Sequence, residues 1–161
     1  MRIGSGLDVH PFSEDPQRTL VLAGLVIADA AGLAGHSDAD VVSHAVADAM
    51  LGAAALGDLG SRFGVDDPAT AGADSLQLLA AVVTDVHAAG WELGNLDITV
   101  IAQRPRLASH RGAMRGNLAG CLGCGVEQVS VKFTTTDRLG SIGRGEGIAA
   151  WATCLLLPGH R

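Results

Sequence analysis

The chain has 161 residues, 48% of them hydrophobic and only 3% aromatic, with a formal charge of −6. That length suits a single domain, 1–161, with enough chain to bury a real core. The acidic balance argues against nucleic-acid and anionic-membrane partners, which select basic patches.

RIGSGLDVH, residues 2–10, reads as a strand loosened by glycines. Asp8 and His10 are two apart on it, so both side chains leave the same face. TLVLAGLVIA, 19–28, reads as two short strands around Ala23 and Gly24. DADVVSHAVADAMLGAAAL, 38–56, reads as a helix capped by Asp38 or Asp40, because Val41, His44, Ala45 and Asp48 recur at helical spacing. GDLG ends it. DSLQLLAAVVTDVHAAG, 74–90, is a second helix with Asp74 as its cap and Gly90 as terminator. LDITVIAQ is a strand closed by RPR, and SHRGAMRGNLAGCLG is a third helix interrupted by Gly112 and Gly116. VSVKFTTT and GIAAWATCLLL are the last strands. Helices alternate with strands of mixed length, which predicts a two-layer α/β fold: one sheet with helices stacked on one face.

No apolar run approaches a membrane span and no signal-like segment precedes RIGSG, so a cytoplasmic location is expected. Three cysteines, Cys121, Cys124 and Cys154, are an odd number without framework spacing and suit a reducing compartment. CLGC has redox spacing, but no second pair completes a zinc site, and structural thiols are the expectation.

An acid and an imidazole side by side can hold a metal, trade a proton or simply pair. His44, within the first helix, is the third group that bears on the choice. Asp8, His10 and His44 would supply one oxygen and two nitrogens, the three-ligand pattern of a catalytic zinc with an open fourth position. Asp48, one turn beyond His44, is expected to accept its second ring N–H and fix its tautomer. Spacing alone leaves a structural ion pair open. His87, His110 and His160 lack acidic neighbours at ligand spacing and are expected to be surface or core residues.

VKFTTTDRLGSIGRGEG, 131–147, is a second polar cluster. Three threonines and Asp137 at a strand end offer hydroxyls and a carboxylate suited to phosphate oxygens and a hard cation such as Mg²⁺. The bland alternative is a solvated turn in which Arg144 and Glu146 form an ordinary ion pair. GRGEG is no P-loop, since no Lys-Ser or Lys-Thr follows. Arg104 and Arg106 place two cations at another strand end, without which an acidic protein would repel a diphosphate.

RIGSGLDVH, HSDADVVSHAVADAMLGAAALGDLG, GADS, IAQRPR and TTTDRLGSIGRGEG, in that order, make the chain resemble the 2-C-methyl-D-erythritol 2,4-cyclodiphosphate synthase family nearly end to end. The resemblance implies a metal-dependent lyase of the non-mevalonate isoprenoid pathway. Its substrate would be 4-diphosphocytidyl-2-C-methyl-D-erythritol 2-phosphate, cyclised with release of CMP. It implies zinc on Asp8, His10 and His44, and Mg²⁺ or Mn²⁺ on Asp137. His36 and Ser37 match a phosphate-contacting loop, and Asp58 and Gly60 a pocket for methylerythritol hydroxyls. Thr134 and Thr135 would bind the diphosphate, with His36, Thr135 and Asp137 as the catalytic set. Ala102, Pro105, Arg106, Leu107 and Ala108 match the cytidine segment, with Phe133 lying against the base.

The implied fold is a four-stranded mixed sheet backed by helices, in a homotrimer whose sheets line a central channel and whose active sites lie between subunits. Arg144 and Glu146 match channel-facing residues. Asp137 stands where glutamate is usual, Arg106 where lysine is, Phe133 where a small residue is common, and Leu7 and Ser141 where aromatics often line the channel. Two other classes compete with the lyase: a zinc phosphohydrolase built on the same ligands, and a non-catalytic trimeric scaffold that binds diphosphates.

Overall fold

Glycines in the opening strand decide how the two layers meet. The computed structural model describes residues 1–64 and 71–159. In it β1 (Arg2–Pro11) runs antiparallel to β6 (Gly147–Pro158), with Gly6 opposite Ala152 and His10 opposite Ile148. Gly4 and Gly6 face α1 (Val41–Ala54), and a Cβ on either would collide with the backbone carbonyl of Ala49 or Ala45. Strand and helix backbones thus touch directly, an approach that only glycine permits. Asp8 and His10 continue that face toward α1, whereas Ile3, Leu7 and Val9 occupy the opposite, exposed face.

The main sheet has strand order β1-β6-β4-β5, where β4 is Trp91–Ile101 and β5 is Val129–Thr134. β4 pairs antiparallel with β6 and parallel with β5, so the sheet is mixed as expected. α1, α3 (Ser75–Ala88) and α4 (Arg111–Leu122) supply the helical side of the core, with Met50, Leu79, Val82, Met114 and Leu118 buried with Ile98, Ile148 and Leu156 of the strands. Trp151, by contrast, is 54% exposed on β6.

The structure departs from a single sheet at β2 (Thr19–Leu22) and β3 (Leu25–Ala31), which form their own antiparallel hairpin. The hairpin turns at Ala23 and Gly24 and buries Leu20, Leu22 and Ile27 in the common core, while Asn117 Nδ2 of α4 donates to Ala23 O at 3.1 Å. Its buried side chains are thereby spent on the helical layer. Two short helices also form where periodicity predicts none. α2 (Leu59–Phe63) begins inside GDLG, where Asp58 and Ser61 cap each other, and α5 (Gly140–Gly143) interrupts the polar segment after β5.

Candidate active site and metal centre

Two elements bring three side chains to one point. β1 presents Asp8 and His10, and the first turn of α1 presents His44. Asp8 Oδ2 lies 3.1 Å from His10 Nε2 and 3.0 Å from His44 Nδ1, and those two nitrogens are 3.3 Å apart. Two metal–ligand bonds of about 2.0–2.1 Å at a tetrahedral angle separate their donor atoms by about 3.3 Å. The triangle therefore has the dimensions of one face of a tetrahedral metal site. His10 Nδ1 donates to Ala34 O at 2.7 Å, and since a carbonyl only accepts, the neutral ring turns its Nε2 lone pair into the triangle.

Burial opposes the charge on Asp8, but hydrogen bonds from His10 and His44 and their positive charge prevail and hold the carboxyl well below its usual range. The bond to Asp8 raises His10 in turn, against burial. Protonated, the two rings donate to Asp8; with both rings neutral, the same three atoms can all act as acceptors facing one point, which is where a cation fits.

The triangle opens into a cavity of about 270 Å³, also lined by His36, Ser37, Asp48, Leu59, Gly60 and Phe63. Arg18 holds the loop that carries His36 and Ser37: its Nη2 donates to Gly35 O at 3.0 Å and also to Ser37 O. A second cavity of about 380 Å³ lies where β4 and β5 end side by side, Ile101 paired with Thr134. Ala102, Pro105, Arg106, Leu107 and Ala108 line it from one segment, and Phe133, Thr134 and Thr135 from the other. The Arg111 guanidinium sits 5.4 Å from the Phe133 ring centroid. The two cavities share no lining residue.

A family model described as the YgbB family matches residues 1–157. The chain belongs to the YgbB family. Curated relatives include the 2-C-methyl-D-erythritol 2,4-cyclodiphosphate synthases of Moorella thermoacetica, 56% identical over 98% of this chain and 95% of that one, and of Trichlorobacter lovleyi, 52% identical over 98% and 99%. Among solved structures, the bifunctional IspDF of Campylobacter jejuni matches with a TM-score of 0.92 and 43% identity, over 96% of this chain and 42% of that longer one. A CDP complex of Plasmodium falciparum IspF matches with a TM-score of 0.86 and 33% identity, over 99% and 97%. By this membership the chain is an enzyme with the family's cyclodiphosphate synthase activity, in isoprenoid biosynthesis.

In the YgbB chain one expected contact is replaced by another. Asp48 is not the partner of the second nitrogen of His44: its Oδ1 accepts the Leu59 N–H at 2.8 Å and fastens the start of α2 to α1. His44 Nε2 instead lies 2.9 Å from Ser75 Oγ and 3.2 Å from Ser37 Oγ. The free N–H groups at the start of α2 claim the Asp48 carboxylate, and two buried hydroxyls take its place beside the ring. Asp58 caps α2, its Oδ1 accepting the Ser61 N–H at 2.7 Å, a bond that holds the carboxyl below its usual value. Gly60 follows in the cavity wall.

Asp137 sits in an exposed turn with positive φ, and Thr135 Oγ1 donates to its Oδ1 at 3.2 Å. Arg144 Nε donates to Glu146 Oε1 at 2.6 Å in an exposed ion pair, and Leu7 and Ser141 are exposed as well. Among the described residues, Asp8, His10 and His44 are the one group of three or more acids, histidines or cysteines gathered closely enough for a metal. His87 lines a separate cavity with Trp91 and Cys124, His110 ends a short 3-10 turn at Ala108–His110, and His160 lies outside the described residues. Cys121, Cys124 and Cys154 are unpaired thiols. Arg18 has no place in the sequence reading, and Ser75 enters it only within GADS and the second helix with no role assigned, because neither stands in a spacing pattern that ties it to the ligands.

Proposed function

We propose that this single domain, 1–161, cyclises 4-diphosphocytidyl-2-C-methyl-D-erythritol 2-phosphate to 2-C-methyl-D-erythritol 2,4-cyclodiphosphate and CMP. The observation that carries the reading is the ligand triangle of Asp8, His10 and His44 opening into a cleft walled by His36, Ser37 and Gly60. An oxygen of the substrate's own 2-phosphate attacks the β-phosphorus. The bond from that phosphorus to the bridging oxygen breaks, and CMP departs with the bridging oxygen and the α-phosphate. No side chain acts as nucleophile and no water is consumed, so catalysis is positioning and neutralisation of charge. Zinc on Asp8, His10 and His44, with Mg²⁺ or Mn²⁺ on Asp137, supplies Lewis acidity and positive charge to the diphosphate.

The chain's own groups do the rest. His36 and Ser37 orient the phosphates from a loop held by Arg18, and Thr134 and Thr135 present hydroxyls to the diphosphate. Asp58 and Gly60 receive the methylerythritol hydroxyls, and Arg106 contributes a fixed cation at the mouth of the second cleft. That cleft, of nucleoside size, takes the cytidine against Ala102, Pro105, Leu107, Ala108 and Phe133. The CDP held by the Plasmodium falciparum relative supports this placement.

We read the working unit as a homotrimer in which the metal cleft of one chain faces the cytidine cleft of the next. Support comes from the open sheet face, where Ile3, Leu7, Val9 and Trp151 are exposed apolar residues of adjoining strands. Arg144 and Glu146 would then face the central channel. We place the reaction in the cytoplasm, where three unpaired thiols stay reduced; among the described residues no helix is long and apolar enough to cross a membrane.

Phosphorus NMR of the diphosphocytidyl substrate incubated with the zinc-loaded chain in ¹⁸O-water is the deciding experiment. CMP and a cyclic diphosphate free of solvent oxygen are expected. Inorganic phosphate, or ¹⁸O in the product, would replace the lyase with a hydrolase.

A further inference from the structure

Ser75 is the first residue of α3 and only 1% exposed, yet it belongs to neither cleft lining. Its hydroxyl has one hydrogen and three neighbours that could take it: Asp38 Oδ1, His44 Nε2 at 2.9 Å and, more distant, Ser37 Oγ at 3.4 Å. The remaining contacts of Asp38 settle the competition. Asp38 Oδ1 also accepts the Asp40 N–H at 3.1 Å, and Oδ2 accepts the Ser75 N–H at 3.1 Å, so the carboxylate is surrounded by donors and gives none. The hydroxyl hydrogen therefore goes to Asp38, where the bond is charge-assisted. Ser75 Oγ is left with lone pairs facing the imidazole and must accept from it. Ser37 Oγ, 3.2 Å from the same nitrogen, accepts the Ala39 N–H at 3.1 Å, and with the Ser75 hydrogen on Asp38 its own hydrogen is the one shared with Ser75 Oγ, 3.4 Å away.

We propose that Asp38 and Ser75 form a positioning relay that holds His44 in its Nε2–H tautomer and so turns the Nδ1 lone pair toward Asp8 and His10. The inference rests on the metal reading of that triangle and adds two residues to it. His10 is set by the Ala34 carbonyl to offer Nε2, and His44 is set by the relay to offer Nδ1, so the two rings present opposite nitrogens to one ion. Without the relay, neutral His44 is free to move its hydrogen to Nδ1, where Asp8 Oδ2 at 3.0 Å would accept it and the metal position would be blocked.

The test uses the full chain with zinc as probe. Chelator competition should give Ser75→Ala a zinc affinity about tenfold to a hundredfold below that of the parent. Ser75→Thr, which restores the hydroxyl, should recover to within about threefold. Asp38→Ala should weaken binding in the parent but have less than about a twofold further effect in Ser75→Ala, because the path to His44 is already cut. Long-range ¹H–¹⁵N spectra of the metal-free chain above pH 8 should show His44 as Nε2–H in the parent and shifted toward Nδ1–H in Ser75→Ala. Equal zinc affinity in parent and Ser75→Ala, or an unchanged tautomer, overturns the relay alone. A parent that binds no zinc overturns the metal reading beneath it.

Discussion

Asp40 Oδ1 accepts the backbone N–H of Ala23 at 2.8 Å, across the gap between the β2–β3 turn and the start of α1. The same carboxylate accepts the Gly24 N–H at 2.7 Å, the Val42 and Ser43 N–H groups at 3.1 Å each, and the Ser43 hydroxyl at 2.7 Å. One fully buried side chain thus caps the helix that carries His44 and pins the hairpin to it.

Asp40→Ala removes the cap and leaves the Ala23 and Gly24 N–H groups without their acceptor. A cap is worth about 1 kcal/mol, and each buried donor left unsatisfied costs about 1–3 kcal/mol, so a loss of about 3 kcal/mol or more is expected. Urea unfolding followed by circular dichroism measures it. A loss below about 1 kcal/mol would show that the five contacts matter little.

Two glycines of this chain should respond to alanine with opposite signs. Gly6→Ala drives a Cβ into the Ala45 carbonyl, lifts β1 from α1 and separates Asp8 and His10 from His44. Overpacking of this kind costs about 1–3 kcal/mol, and zinc retention should fall with it. Gly52, exposed within α1, has open space where its Cβ would go. Gly52→Ala should raise stability by roughly 0.5–1 kcal/mol and leave zinc untouched. Thermal melts with metal analysis of both variants separate close packing from a general intolerance of substitution.

His44→Ala and Asp137→Ala should separate the two proposed cation sites. The first should lose at least about a hundredfold in zinc affinity, and turnover with it, while keeping its circular dichroism. The second should keep its zinc and instead need much more Mg²⁺ or Mn²⁺ for the same rate. Zinc analysis beside a magnesium titration reads both. Parallel loss of zinc in the two variants would mean that Asp137 belongs to the first site.

The thiols give a pH dependence of definite sign. Burial pushes Cys121, and likewise Cys154, from an ordinary 9.0 up to about 11. Both stay protonated at neutral pH, so a disulfide reagent at pH 8 should modify them far more slowly than it does the urea-unfolded chain. A folded thiol that keeps its proton longer than an unfolded one contributes stability that is complete below pH 9 and lost as pH rises toward 11. The urea midpoint of the parent should therefore drop more between pH 9 and 10.5 than that of Cys121→Ala. Equal drops would remove Cys121 from the account.

Local rules made part of this molecule readable. Alternation along β1 put Asp8 and His10 on one face, helical periodicity supplied α1 with His44 in its first turn, and Asp74 marked the start of α3. Periodicity fails for α2, which is five residues long and defined only by the Asp58–Ser61 capping box. It also gave the wrong partner for His44: Asp48 has the right helical offset, but the start of α2 takes it, while the serine beside the ring comes from a helix 31 positions later. Neither the Ala34 carbonyl nor the grip of Arg18 on the loop has a side-chain signature, because backbone acceptors are the same at every residue.

The open sheet face carries a built-in optical probe. The chain has no tyrosine and two tryptophans, so its ultraviolet emission is the sum of two indoles. Trp91 is half-buried and stacked under the Arg2 guanidinium, 4.8 Å from its ring centroid, whereas Trp151 stands largely in water on β6 opposite Leu7. Covering that face with further copies of the chain dehydrates one indole and leaves the other as an internal standard. A blue shift that grows with protein concentration thus reads assembly directly, without a label.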